Sequence, residues 1–147
     1  MTTNENEEQI DHPAHYGGAD DPFEVIKIIE AWCLGFSLGN ALKYIARAGK
    51  KTPDLLTDLK KARWYLARAI TRCYLFTDGH RENNTVQALG ACTVWRLTPP
   101  LLDVVVMIGS AASRHIDSGR IATDLRAALA SLDQVIALNT PPHTEKS

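Results

Sequence analysis

The sequence has few cysteines, and they follow no recognisable pattern. Three occur among its 147 residues, at Cys33, Cys73 and Cys92. An odd number without the spacing of metal ligands favours free thiols in a reducing compartment over disulfides or a zinc site.

Long apolar runs are also missing. The longest, Leu101–Ala112, is shorter than the roughly 20 residues that a membrane-spanning helix needs, and it contains Asp103. The chain starts without the basic and then apolar leader of a secreted protein. We therefore expect a soluble protein of the cytoplasm that has no membrane partner.

Neither sign of charge is in excess over the whole chain. The 16 Lys and Arg residues and 17 Asp and Glu residues give a formal net charge of −1. The chain therefore lacks the overall basic field typical of nucleic-acid binders, and nucleic acid is not an expected partner. The charge is nevertheless uneven, because the first 24 residues are acidic and residues 43–72 are rich in Lys and Arg.

What the sequence does contain is a series of segments with helical periodicity. A hydrophobic fraction of 45% and a charged fraction of 22% are those of a globular protein, and the length suits one domain. We predict an all-α fold, a compact helical domain of five or six helices with no sheet. The expected segments are a disordered tail at 1–10, a helical region at 11–78, additional C-terminal helices at 79–140 and a tail at 141–147.

Capping residues and prolines predict where the first helices begin and end. Asp21 and Pro22 favour an N-capped helix with proline at its first position, and Gly35 favours its end. A second helix is expected over about residues 37–48. Asp54 is expected to cap a third.

The sequence supports one further prediction for the third helix and one for the C-terminal half. On the third helix, the spacing of Asp58, Lys61, Tyr65 and Arg68 predicts one shared polar face. In the C-terminal half, the β-branched run 104–106 is compatible with a buried strand. We prefer a helix there, because the apolar pattern continues beyond the run and no partner strand is visible.

The most informative stretch is residues 39–51, G-N-A-L-K-Y-I-A-R-A-G-K-K, which separates into two faces on a helix. The apolar residues on and just before it recur at i, i+4 and i+7, the spacing of a buried stripe. They are Leu38, Leu42 and Ile45. Polar, cationic and aromatic residues share another face and run into two lysines after a glycine. They are Asn40, Lys43, Tyr44, Arg47, Lys50 and Lys51.

Two interpretations of this stretch remain open from the pattern alone. No acidic residue occurs between Glu30 and Asp54, so nearby sequence neutralises none of the four cations. A row of cations that leads into a glycine bend suits phosphate oxygens. The alternative is a solvated basic face with a glycine C-cap, which is the commoner occurrence.

A P-loop is excluded although Gly49, Lys50, Lys51 and Thr52 resemble its last residues. That motif requires another glycine five residues before the first of these, on a turn that follows a strand. Here the position is Tyr44, inside a predicted helix.

Phosphoryl transfer to a nucleoside monophosphate makes modest demands on side chains. The accepting phosphate oxygen is already ionised at neutral pH, so the protein must chiefly position the substrates and neutralise charge. Positive charge would come from Lys43, Arg47, Lys50 and Lys51 with His15.

Three other side chains can support such a site. Asn40 and Tyr44 are candidates to orient a base or a sugar. Asp58 is a candidate to hold Lys61 or Arg47, or a metal ion.

Several motifs occur in an order that resembles a known family. They are P-A-H-Y at 13–16, G-N-A-L-K-Y at 39–44, R-A-G-K-K at 47–51 and D-L-K-K-A at 58–62. Together they resemble a small family of bacteriophage proteins that includes a deoxynucleoside monophosphate kinase lacking a P-loop. The resemblance covers about residues 11–70, and its motif order is long and specific.

The resemblance implies a nucleotide kinase, a transferase that acts as a homo-oligomer, in the host-cell cytoplasm if the chain is phage-encoded. No resident metal is expected, although Mg²⁺ would accompany the nucleotide. The expected catalytic residues are His15, Arg47 and Lys50. The expected nucleotide-binding residues are Tyr16, Asn40, Lys43, Tyr44, Lys51, Asp58 and Lys61.

Two alternative functions use the same region differently. A nucleotide sponge would sequester a host signalling nucleotide with the same cations and perform no chemistry. An all-α nucleoside triphosphate pyrophosphohydrolase would need Mg²⁺ held by carboxylates, with Asp58 essential.

Overall fold

The computed structural model describes residues 21–50, 54–72, 75–81, 85–115 and 119–143. Six α-helices occur in these ranges, and no strand does apart from an isolated antiparallel bridge between Leu34 and Phe76. The predicted all-α fold is confirmed. The helices are α1 (Val25–Ala31), α2 (Phe36–Arg47), α3 (Leu55–Arg72), α4 (Thr85–Val94), α5 (Leu101–Ser113) and α6 (Arg120–Asn139).

The start and end of α1 differ from the prediction. Asp21 does not cap the helix. Its carboxylate accepts a hydrogen bond from the Phe23 backbone N–H at 2.8 Å, which closes a turn before the helix, and the N-cap position falls on Glu24. The helix also ends before Gly35, because Cys33 has a positive φ of 49° that breaks the helical path.

The next two helices form an antiparallel hairpin, and the predicted bounds of α2 and the predicted start of α3 are confirmed within one residue. Gly49 takes a positive φ of 76° after α2, the conformation that favours glycine at a helix end. Asp54 accepts a hydrogen bond from the Thr57 backbone N–H at 3.1 Å and so caps the start of α3. The hairpin places the end of α2 opposite the start of α3.

The C-terminal helices complete one core with this hairpin. The preferred helix over the β-branched run is confirmed as α5, which pairs with α6, and α6 packs on α3. A single apolar cluster joins residues of both halves, including Leu42, Leu66, Ile108 and Leu132. Within the described ranges, no helix is both long enough and apolar enough to span a bilayer.

Trp32 lies at the centre of this core and ties α1 to α4 and α5. Its ring is fully buried, and its indole N–H donates to the side-chain oxygen of Gln87 at 2.9 Å. Gly109 of α5 lies against the ring. A Cβ at that position would be 2.9 Å from Trp32 and 3.3 Å from the Ala88 methyl.

Gly109→Val is therefore expected to lower the free energy of unfolding by about 1–3 kcal/mol, since the added atoms overpack the contact between α5 and Trp32. Urea denaturation measures the effect. Gly119→Val is the matched control, because no described residue lies within 4 Å of a Cβ at Gly119, and it should cost less than about 1 kcal/mol. Equal losses in the two variants would contradict the packing described here.

Candidate functional site

Three cationic side chains gather around one aromatic ring where α2 and α3 face each other. The ring is Tyr44. Its centroid lies 5.1 Å from Lys43 Nζ, 4.5 Å from Arg47 Cζ and 5.4 Å from Lys61 Nζ. We call Lys43, Tyr44, Arg47 and Lys61 the Tyr44 cluster. Helical spacing places the first three on one face of α2, and the hairpin brings Lys61 to them from α3.

Arg47 is fixed in this cluster by a buried carboxylate. Its Nε and Nη2 atoms donate to Asp58 Oδ1 at 3.1 and 2.9 Å. The side chain of Asp58 is only 4% exposed, and that of Arg47 is 13% exposed. Oδ2 of Asp58 is buried with no hydrogen-bond partner among the described residues.

Two expectations are corrected by this pair. Asp58 does not lie on an exposed polar face with Lys61, Tyr65 and Arg68, because the hairpin turns it inward under Arg47. Arg47 is also not left without a counter-charge, since the neutralising acid comes from the next helix. Of the two partners considered for Asp58, Lys61 and Arg47, the structure selects Arg47.

The two lysines of the cluster remain available for a ligand. Within the described ranges, neither Lys43 nor Lys61 forms an ion pair with a carboxylate. With Arg47 compensated by Asp58, the cluster keeps two positive charges that the neighbouring carboxylate does not balance. Cations without a counter-charge favour anions, and their hydrogen bonds to phosphate or carboxylate oxygens are about twice as strong as those between neutral groups.

The side chain of Lys50 contacts the backbone at the end of α2. Its Nζ donates to the carbonyl of Ala46, in the last turn of α2, at 2.6 Å. Partial burial and the nearby charge of Arg96 lower the pKa of Lys50. The glycine C-cap, which was the alternative interpretation of this stretch, therefore describes the end of α2, and the ammonium group satisfies one of the last carbonyls.

The remaining predicted site residues divide into two groups. Asn40 lies one turn before Tyr44, and its side-chain amide donates to the Phe36 carbonyl at 2.8 Å. His15, Tyr16 and Lys51 lie outside the described residues.

Sequence reasoning missed a row of aromatic side chains beside the cluster. Tyr65 stacks on Tyr44 with ring centroids 5.9 Å apart and an interplanar angle of 12°. It also meets the edges of Phe36 at 6.0 Å and Trp64 at 5.0 Å. Phe36 is 77% exposed and Trp64 is 57% exposed. We call Phe36, Tyr44, Trp64 and Tyr65 the aromatic row.

The aromatic row matters because large apolar groups exposed together usually mark a binding surface. Aromatic faces stack on nucleobases with little preference among them, while cations beside them hold phosphates. The signal available in the sequence was the pair Trp64-Tyr65, of which only Tyr65 was assigned to a face, the polar one.

Two polar residues of the C-terminal half line a cavity. It has a volume of about 640 Å³ and lies between residues 76–81 and the end of α5, with Arg114 and His115 opposite His80 and Arg81. Both of its arginines form a contact within the chain, while Arg81 Nη1 is buried with no hydrogen-bond partner among the described residues. Arg81 donates to the Arg114 carbonyl at 2.8 Å, and Arg114 pairs with Asp124. These contacts join the loop to α5 and α6, which is a structural role.

Metal ligands do not converge in the described part of the chain, where no group of three or more His, Cys, Asp or Glu residues is placed to share an ion. Asp58, the predicted metal-binding alternative, has Oδ1 bound by Arg47.

Comparison with known proteins gives a family match over the N-terminal part of the chain. The chain is similar to DUF3310 over residues 10–67. That family is described as a protein of unknown function, and the match covers less than half of the chain. The matched residues include the whole Tyr44 cluster and Asp58. No curated protein and no solved structure matches the chain.

Proposed function

We propose that the chain binds nucleotides at the Tyr44 cluster and transfers a phosphoryl group to a (deoxy)nucleoside monophosphate, as a phage-type nucleotide kinase without a P-loop. The observation that carries the proposal is the convergence of Lys43, Arg47 and Lys61 within 5.4 Å of one tyrosine ring. The motif order described above supports the same activity.

Each member of the cluster has a part in binding. Lys43 and Lys61 are free of carboxylate partners in the described ranges and contact phosphate oxygens. Arg47 is held rigidly by Asp58, so its guanidinium loses little freedom when an anion approaches. The exposed ring of Trp64, which meets the Tyr65 ring beside the cluster, stacks on the base.

The transfer step needs no general base. An ionised oxygen of the acceptor phosphate forms a bond to the terminal phosphorus of a nucleoside triphosphate, and the bond from that phosphorus to its bridging oxygen breaks. Two nucleoside diphosphates leave. The protein contributes by aligning the two phosphates and neutralising their charge. Magnesium would arrive with the donor's phosphates, because Arg47 already binds Oδ1 of Asp58.

A second candidate function is nucleotide sequestration without chemistry. It is favoured by one observation: both described members of the predicted catalytic set are bound within the chain, Arg47 to Asp58 and Lys50 to the Ala46 carbonyl. A sponge needs only the two lysines and the aromatic row.

A nucleotide screen followed by product analysis distinguishes these functions. A bound nucleotide at 100 times its dissociation constant stabilises a protein by about 2.7 kcal/mol, which corresponds to a rise in Tm of roughly 5–10 °C for a chain of this size. The kinase then yields a labelled diphosphate from a labelled monophosphate and a triphosphate donor. Binding without product supports the sponge, and no Tm shift with any nucleotide contradicts both.

On the basis of the resemblance, we also propose that the chain is encoded by a bacteriophage, acts in the host cytoplasm and forms a homo-oligomer. Light scattering of the purified chain measures its mass in solution. A monomeric mass with and without nucleotide would remove the oligomer from the proposal.

A further inference from the structure

A cavity lined by two arginines lies at the end of the α2–α3 hairpin that is opposite the Gly49 bend. It has a volume of about 620 Å³, within the usual range for ligand sites. Its walls come from the start of α2, the end of α3 and residues 76–77. The side chains that matter are Phe36, Ser37, Arg68, Arg72, Phe76 and Thr77.

The far wall of this cavity is fixed in place by the backbone. The Gly35 N–H donates to the Leu75 carbonyl at 2.8 Å, and the Thr77 N–H donates to the Cys33 carbonyl at 2.7 Å. These bonds hold residues 75–77 against the entry to α2, so the cavity does not depend on a ligand for its shape.

Its polar groups suit a multiply charged anion. Arg68 and Arg72 supply two guanidinium groups, and Ser37 and Thr77 supply two hydroxyls. Among the described residues, no acidic side chain lines the cavity. Within the same ranges, neither Arg68 nor Arg72 forms an ion pair. Guanidinium groups bind phosphates with matched, two-pronged geometry.

The aromatic row connects this cavity to the Tyr44 cluster. Phe36 lines the cavity, and its ring contacts Tyr65, which stacks on Tyr44. Tyr44 follows Phe36 by eight positions along α2, a rise of about 12 Å. Two cationic sites therefore flank one set of aromatic faces.

We infer that the cavity between Arg68, Arg72 and Phe36 binds the phosphate chain of a nucleoside triphosphate, separately from a monophosphate at the Tyr44 cluster. This inference rests on the proposed function for the identity of the nucleotide. The arginines hold the oligophosphate, and Phe36 offers its exposed face to the base.

The test measures two ligands on two variants by isothermal titration calorimetry. Arg68→Gln/Arg72→Gln is expected to weaken binding of ATP and of inorganic tripolyphosphate by roughly a hundredfold, since two charge-assisted contacts are lost. Affinity for the nucleoside monophosphate should change by less than about threefold. Lys43→Ala/Lys61→Ala should weaken the monophosphate more than the tripolyphosphate.

Arg96→Gln/Arg126→Gln is the matched control, because it removes two exposed arginines that do not line the cavity. Both arginine variants should keep the wild-type circular dichroism spectrum, as surface replacements usually do.

Inorganic tripolyphosphate separates failure of this inference from failure of the proposed function. If Arg68→Gln/Arg72→Gln alone loses tripolyphosphate binding, the result supports phosphate binding in the cavity. This holds even if no monophosphate binds to the wild-type chain. Unchanged tripolyphosphate and ATP binding in that variant overturns the inference and leaves the Tyr44 cluster unaffected. Failure of the wild-type chain to bind either phosphate compound overturns it as well.

Discussion

Arg47→Ala is expected to lower the free energy of unfolding by about 3–5 kcal/mol, because it leaves a buried carboxylate without its counter-charge. Asp58 is 3% exposed, and Arg47 donates both of its described hydrogen bonds to the same oxygen. Urea denaturation followed by circular dichroism measures the loss. A loss of this size is a large share of the stability of a typical domain.

The double variant Arg47→Met/Asp58→Leu is the control for this prediction. It removes both charges and replaces them with apolar groups, which often costs little at a buried pair. Its loss should be well below that of Arg47→Ala. If Arg47→Ala costs less than about 1 kcal/mol, the buried pair does not contribute as described.

This coupling affects how the site is tested. Loss of activity in Arg47→Ala would reflect unfolding as well as lost contact with substrate. Variants of Lys43 and Lys61 avoid the problem, because neither lysine neutralises a buried acid among the described residues.

Lys43→Glu/Lys61→Glu is expected to weaken nucleotide binding by at least about a hundredfold. Each charge-assisted contact to phosphate contributes roughly 1.5–3 kcal/mol, and every 1.4 kcal/mol is about tenfold in affinity. Reversing the charge adds repulsion to the lost attraction. Calorimetry with the tightest nucleotide from the screen measures the change.

Lys60→Glu/Arg126→Glu is the matched control for charge reversal. It makes the same change in net charge at exposed positions outside the Tyr44 cluster. Affinity should fall by less than about threefold at physiological salt, where distant surface charges are screened. Equal weakening in the two double variants would show that overall charge, and not the cluster, holds the nucleotide.

Much of the fold was predictable, because the periodicity of each helix is a local property. The buried stripe of Leu38, Leu42 and Ile45 was assigned correctly. The end of α2 followed from Gly49, and the start of α3 followed from Asp54. The start of α1 was wrong because Asp21 can close a turn as readily as it can cap a helix.

The site was only partly predictable, since its decisive contacts join two helices. The spacing on α2 brought Lys43, Tyr44 and Arg47 together correctly. A single helix could not reveal that Asp58 would be buried beneath Arg47, or that Tyr65 would stack on Tyr44. Those facts depend on the register of the hairpin, which the sequence pattern alone does not specify.

The most direct test compares the tightest-binding nucleoside monophosphate with its nucleoside, which lacks only the phosphate, by calorimetry on the wild-type chain. If the Tyr44 cluster grips phosphate, the nucleoside should bind at least about a hundredfold more weakly, since two charge-assisted contacts are lost. Equal affinities for the two compounds would contradict the central claim.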